Sequence, residues 1–357
     1  MSDAVWIELT NNTGIFGLTL SLSSNCTLLA LIMSRSSPVK GPYKNILIFF
    51  CCFTIFYSLV ELFLRPLIHN YDDTLFVMQR RWFYMSPTLS HFTTTMYCGC
   101  YAMSFVLFAL QFLYRYVATC KPVYSNLFQG VSFIYWISGA FVIAASWAAA
   151  AYFLFPPTER TDETFLYILK YFYNLDPAVM GYVAYRYFEN EYGSRRPIML
   201  NIAGIFQHFV VMLVSFGTLF YCGFKTYSTI IQHRGVSTRT RQLQMQLFRA
   251  LVVQAAIPMI FMYFPLLFLY ACPLLNLQLG ALANYQTIMG QLYPGVDPFA
   301  VLLLINVYRR TLFNWICLQA TSERDSPINE NSQNIENTVT LRGDLRFQKN
   351  VAVSPRF

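Results

Sequence analysis

The run LSHFTTTMYCGCYAMSFVLFALQFL, Leu89–Leu113, contains no Asp, Glu, Lys or Arg and is followed at once by Tyr114-Arg115-Tyr116. A helix needs about 20 apolar residues to cross about 30 Å of hydrocarbon at about 1.5 Å per residue. A membrane-spanning strand is about half that length and alternates apolar with polar positions, which this run does not. It reads as a transmembrane helix that ends in charge at a membrane face.

Six further runs of the same kind flank it: Thr13–Met33, Asn45–Leu64, Val131–Phe155, Leu200–Cys222, Ala250–Ala271 and Ala283–Val307. Composition agrees, with 56% hydrophobic and only 12% charged residues, too few to cover a soluble surface of 357 residues. The expected fold is an all-α membrane protein, a seven-transmembrane helix bundle. Residues 1–12 form an extracellular N-terminus, 13–310 the bundle, and 311–357 a cytoplasmic amphipathic helix and disordered tail.

Loop charge orients the bundle. Three short loops on one side carry Arg35, Lys40, Lys44, Arg115, Lys121, Lys225, Arg234, Arg239, Arg241 and Arg249 and no acid, whereas the other side mixes both signs. The positive-inside rule places the N-terminus outside and the C-terminus inside. The net charge of +8 is thus a statement of topology and not of nucleic-acid binding.

Nothing basic precedes the first run, which reads as a retained signal anchor. Asn11-Asn12-Thr13 is a glycosylation sequon on the outer side. The second outer loop, from Pro156 to Met199, has no cysteine, so no disulfide can tie it to the third helix. Cys317, beside Leu312, Trp315 and Ile316, is a palmitoylation candidate, with an unmodified thiol as the alternative.

Two acids fall within spans. Glu61 sits near the outer headgroups, where water is expected to reach it. Asp297, about 18 Å along its helix from Arg309, is intramembrane and by default functional. It stands in Tyr293-Pro294-Gly295-Val296-Asp297-Pro298, where the prolines free backbone carbonyls. Gly17, Ser21 and Asn25 form a small polar ridge at one depth, so Asn25 and Asp297 are expected to share a hydrogen-bond network. Pro258 and Pro265 permit a bend in the sixth span.

Tyr97, Tyr101 and Ser104 share a face of the third helix. At comparable depth lie Gln207 and His208 on the fifth, Phe261, Tyr263 and Phe264 on the sixth, and Tyr285, Gln286 and Met289 on the seventh. Together these are the candidate lining of an aromatic pocket for a small, weakly polar molecule. No catalytic motif, metal-ligating pattern or cofactor site is present, and the last span has no Lys for a retinal Schiff base. No internal repeat suggests a transporter. A ligand-gated channel or channel subunit remains the alternative to a receptor.

Several segments carry a family resemblance: Gly41-Pro42-Tyr43-Lys44-Asn45, Tyr57-Ser58-Leu59-Val60-Glu61, Gln111-Phe112-Leu113-Tyr114-Arg115-Tyr116, Cys120-Lys121-Pro122, Gln246-Leu247-Phe248-Arg249, Tyr263-Phe264-Pro265 and Asp297-Pro298. In these the chain resembles the nematode seven-transmembrane chemoreceptors of serpentine receptor class R, the Str family. The resemblance implies a G-protein-coupled receptor at the plasma membrane, in cilia of chemosensory neurons. Its implied partners are a small-molecule odorant, a heterotrimeric G protein and membrane lipids, with a receptor oligomer left open. It also places Arg115 and Tyr116 at the position of the Asp/Glu-Arg-Tyr switch of rhodopsin-like receptors. Tyr114 replaces the acid there, and Val301 replaces the Tyr expected after Asp297-Pro298. Asn25, Arg115, Tyr116, Arg239, Arg241, Arg249, Pro258, Asp297 and Pro298 are the candidate switch and G-protein-coupling residues.

Overall fold

The computed structural model describes residues 4–34, 41–80, 85–177, 180–191, 194–232 and 238–324. Side chains of 190–191, Arg239 and 316–324 lie outside that description, as does the expected tail beyond 324. Among the described residues, seven helices are long and apolar enough to cross a membrane. They are α1 (Ala4–Met33), α2 (Pro42–Leu64), α3 (Pro87–Cys120), α4 (Val131–Leu154), α6 (Met199–Gln232), the sixth span, and α9 (Asn284–Leu304). The sixth span consists of α7 (Thr238–Pro258), a π-helical turn Met259–Tyr263 and α8 (Phe264–Ala271). Residues 1–309 form one compact unit, and a second begins at Arg310, within helix α10 (Asn306–Arg324).

Helix ends depart from the hydropathy spans for local reasons. Helix α1 begins well before Thr13, and in this polar stretch Thr10 and Thr13 satisfy their hydroxyls within the helix by donating back to the Trp6 and Leu9 carbonyls. Asn11 is therefore helical, and its amide oxygen accepts from Arg80 at 3.1 Å.

The small ridge on α1 meets the proline segment of α9. A Cβ on Gly17 would collide with the Gln291 carbonyl, and one on Gly295 would lie 2.8 Å from Leu20 Cγ. Glycine at both positions lets the backbones approach closely. Pro298 has no N–H to give the Pro294 carbonyl, so that oxygen is free. Asn25 Nδ2 donates to it at 2.9 Å, and Ser24 donates to the Gly295 carbonyl at 2.9 Å.

The outer loops are not featureless. Strands β1 (Pro66–Tyr71), β2 (Thr74–Arg80) and β3 (Met180–Arg186) form an antiparallel sheet in the order β1-β2-β3. Asp72, at φ 51°, makes the tight turn between β1 and β2. The register pairs Leu75 with Tyr185 and Thr74 with Arg186. Between α4 and β3 lies α5 (Glu159–Ile168), opened by a capping box of Thr158 and Thr161. A short hairpin, β4 (Phe188–Glu191) and β5 (Ser194–Pro197), leads into α6.

Hydrogen bonds pin this sheet as a lid across the outer end of the bundle, where a disulfide is impossible. Gln79 Nε2 donates to Ser90 on α3 at 2.8 Å. The His91 ring on α3 is 3.2 Å from both the Tyr182 carbonyl of β3 and the Tyr152 carbonyl of α4. Asn284, at the start of α9, accepts from the Ile68 N–H at 2.9 Å.

Candidate ligand cavity and switch network

Directly beneath the lid is a cavity of about 40 Å³. Its floor and walls come from Tyr97, Cys98 and Tyr101 of α3, Trp147 of α4, Leu266 and Tyr270 of α8, and Gln286 of α9. Its roof is Ile68, Leu75, Val77 and Tyr185 of the lid. One water needs roughly 10–15 Å³ of such volume, so the space suits a molecule of a few heavy atoms in a nearly apolar enclosure.

Polar groups in this cavity are few and directional. Tyr101 Oη donates to the Met262 carbonyl at 2.9 Å. A carbonyl can only accept, so the same hydroxyl must accept from Gln286 Nε2 at 2.7 Å. Gln286 Oε1 is then left as a buried acceptor without a hydrogen-bond partner among the described residues. Met262 lies in the π-helical turn, so one cavity tyrosine holds both the seventh span and the irregular segment of the sixth. Prolines at 258 and 265 cannot donate to carbonyls in the preceding turn, which accounts for the irregularity there.

The other expected pocket residues divide by depth and direction. Ser104 and Tyr263 lie beneath, with the Tyr263 hydroxyl donating to Ser104 at 3.0 Å and its ring 4.4 Å from Phe105. His208 backs the wall, stacked on Trp147 with centroids 3.9 Å apart. Gln207 turns to α4 and donates to Ser146 at 3.1 Å. Met289 is half-buried and lines none of the cavity. Phe261, Phe264 and Tyr285 face outward from the bundle, Phe264 being 53% exposed. Around Phe261 and Phe264 the sixth span is apolar all round and offers no polar face to orient them, whereas on the seventh Asn284, Thr287 and Gln291 mark a buried polar face to which Tyr285 does not belong. The lid residues, Trp147 and Tyr270 were missed. The signal for the lid is a pair of short, largely apolar runs, Pro66–Tyr71 and Thr74–Arg80, on either side of the turn residues Asp72-Asp73.

Glu61 is not at the headgroups in contact with water. It is 1% exposed, accepts from the Tyr97 hydroxyl at 3.1 Å, and faces Gly290 of α9, where a Cβ would lie 3.3 Å from Oε1. Neighbouring helices α3 and α9 enclose it, which the distance along one helix could not reveal. Tyr57 stacks on Tyr97 beside it, with centroids 6.2 Å apart.

The hydrogen-bond network expected to include both Asn25 and Asp297 takes two separate routes. Asn25 does join the first and last spans, but through the Pro294 carbonyl, while its Oδ1 accepts from Thr54 of α2 at 2.8 Å. Asp297 turns to the sixth span, where Gln254 Nε2 donates to it at 2.7 Å.

Toward the inner side, Arg115 is buried over the Tyr43 ring at 3.8 Å, and Tyr43 stacks on Tyr114. A cation over an aromatic face takes the place of an acid from the preceding residue. Tyr116 is half-buried, 6.0 Å from the Tyr221 ring. Arg241 donates to the Ile230 and Ile231 carbonyls near the end of α6, at 3.1 and 2.9 Å. Arg249 is exposed, and the side chain of Arg239 lies outside the described residues, as does that of Cys317.

Known proteins show the same architecture. The family model of the serpentine type 7TM GPCR chemoreceptor Str matches residues 10–313. The chain is 40% identical over 327 residues to serpentine receptor class r-10 of Caenorhabditis elegans, covering 91% of this chain and 96% of that protein. It is 34% identical over 342 residues to serpentine receptor class r-10 of Caenorhabditis briggsae, covering 95% and 100%. The crystal structure of squid rhodopsin superposes with a TM-score of 0.58 over 88% of this chain and 82% of that one, at 15% identity, a likeness of fold. The seven spans, the lidded cavity and the match along nearly the whole bundle lead to one conclusion: this multi-pass membrane chain belongs to the Str family of serpentine seven-transmembrane GPCR chemoreceptors and to no class of enzyme.

Proposed function

We propose that the chain is a chemosensory receptor that binds a small, weakly polar molecule in the cavity beneath the lid and activates a heterotrimeric G protein. The observation that carries this reading is the bridge from Gln286 through Tyr101 to the Met262 carbonyl. A ligand in the cavity competes for these polar groups. Whichever arrangement of the π-helical turn it binds better becomes more populated, and the response is limited by that difference in affinity.

The sixth span is the moving element in this scheme. Pro258 and the turn after it divide the inner segment α7 from α8, and a groove of about 390 Å³ already separates α7 from α6. Displacement of α7 exposes the inner ends of α3 and α6, with Arg115 on α3 and Arg239, Arg241 and Arg249 on α7 itself supplying positive charge at the opening. Tyr116, packed on Tyr221 of α6, stands beside the opened face, and Asn25 holds α1 and α2 to α9, against which α7 packs. The proposed location is the plasma membrane, in the cilia of chemosensory neurons.

An odorant panel scored by second-messenger output in cells expressing the receptor tests this reading. Tyr101→Phe and Gln286→Leu are expected to shift potency by about tenfold, the effect of one buried hydrogen bond of about 1.4 kcal/mol. Phe264→Ala, on the outward face, leaves potency unchanged at equal surface expression. A rapid ligand-evoked current that survives G-protein blockade would establish the channel alternative instead.

A further inference from the structure

Strand β3 has two faces with different surroundings. Tyr185 lines the cavity, whereas Ala184 and Arg186, its neighbours in sequence, line a groove of about 490 Å³ on the other side. That reversal is the ordinary alternation of a strand. The groove lies at the outer ends of α4 and α6, and its rim includes Phe153 and Leu200, which are 71% and 61% exposed. Large apolar side chains at the ends of membrane spans mark a boundary with hydrocarbon.

The inner wall of the groove is charged. Arg186 is 7% exposed, its Nε is 4.0 Å from Asp73, and its Nη2 is buried without a hydrogen-bond partner among the described residues. Arg160 and Glu159, in the first turn of α5, and Glu189 of β4 are the other charged residues of the lining, with Thr158, Thr161 and Asn201 as its neutral polar groups. Burial, and then the nearby charge of Arg160, push the Arg186 guanidinium down from its usual range, while Asp73, Glu189 and Asp72 act in the opposite sense. A buried guanidinium with a free N–H beside a second cation favours an anion that can accept from both.

We propose that this groove holds the headgroup of a zwitterionic phospholipid of the outer leaflet. The phosphodiester oxygens accept from Arg186 and Arg160, and the choline or ethanolamine cation lies against Glu159 and Glu189. The acyl chains leave past Phe153 and Leu200 into the bilayer. Two glutamates in the lining disfavour a lipid of net negative charge, and the apolar rim suits a lipid better than a free phosphate ion. Because the headgroup rests against the strand whose opposite face carries Tyr185, the bound lipid braces the roof of the ligand cavity.

The full-length receptor in nanodiscs of equal parts phosphatidylcholine, phosphatidylglycerol and diacylglycerol, released and examined by native mass spectrometry, provides the test. Phosphatidylcholine is expected to stay bound at collision energies that strip the other two. Arg186→Gln reduces the retained lipid by about tenfold, the loss of one charge-assisted hydrogen bond. Arg160→Ala, at an exposed position, gives a loss in the same direction and serves where Arg186→Gln does not fold. Glu189→Gln shifts the preference toward phosphatidylglycerol. Equal retention of phosphatidylcholine and phosphatidylglycerol by the unsubstituted receptor overturns the proposal. So does retention unchanged by Arg160→Ala, or displacement of the lipid by inorganic phosphate.

Discussion

Gln254 Nε2 donates to Asp297 Oδ2 at 2.7 Å, with both residues buried between α7 and α9. This bond fastens the sixth span to the seventh just on the inner side of the π-helical turn. Gln254→Leu leaves a buried carboxyl oxygen without its donor, at a cost of about 1–3 kcal/mol. The expected result is a lower thermal-unfolding midpoint for the purified receptor. Asp297→Asn keeps an acceptor and is expected to fall less.

The close approach of α1 and α9 predicts a steric effect. Gly17→Val drives a side chain into the Gln291 carbonyl, and overpacking of this kind costs about 1–3 kcal/mol or more. Fluorescence-detected size exclusion should show loss of the monodisperse peak. Gly139→Ala, where an added Cβ meets nothing within 4 Å, is the matched control and keeps the peak.

Acid is expected to loosen the lid. His69 of β1 is fully buried, shares a 3.0 Å hydrogen bond with Tyr173, and is pushed by burial from its usual 6.5 down to about 4. Its folded-state affinity for a proton is lower than in the opened state. The stability it contributes is therefore complete above pH 6.5, declines as pH falls toward about 4, and is then lost, a change of about 3 kcal/mol. Hydrogen exchange of residues 66–80 should accelerate across that interval in the unsubstituted receptor. A His69→Phe variant, which has nothing to protonate, should show no such dependence from this position.

Glu61 and Tyr97 make a separate prediction. Glu61→Gln keeps an oxygen to accept from the Tyr97 hydroxyl, whereas Glu61→Leu leaves that hydroxyl without its acceptor at the edge of the cavity. Ligand potency is expected to hold within about threefold in the first variant and to change by about tenfold in the second. Dose-response curves at matched surface expression measure the difference.

Much of the architecture was legible in the sequence. Run lengths gave seven spans, and the sorting of Lys and Arg oriented them. The ridge of Gly17, Ser21 and Asn25 identified a helix contact whose partner, the Pro294 segment, is where the structure puts it. These properties are local. In a bilayer each span must satisfy its own backbone hydrogen bonds, so the composition of a single segment decides that it is a helix.

The tertiary structure decided which aromatics look inward, what closes the cavity, and where the buried acids turn. Phe261 and Phe264 face outward while Tyr101 faces the cavity; lipid and protein interior are equally apolar, so composition cannot tell which face of an apolar stretch is which. The lid exists only because residues 74–80 pair with residues 180–186, strands at least 100 residues apart in the chain, a partnership no local pattern encodes. That same pairing roofs the cavity with Tyr185 and turns Arg186 to the groove on the opposite face of the strand.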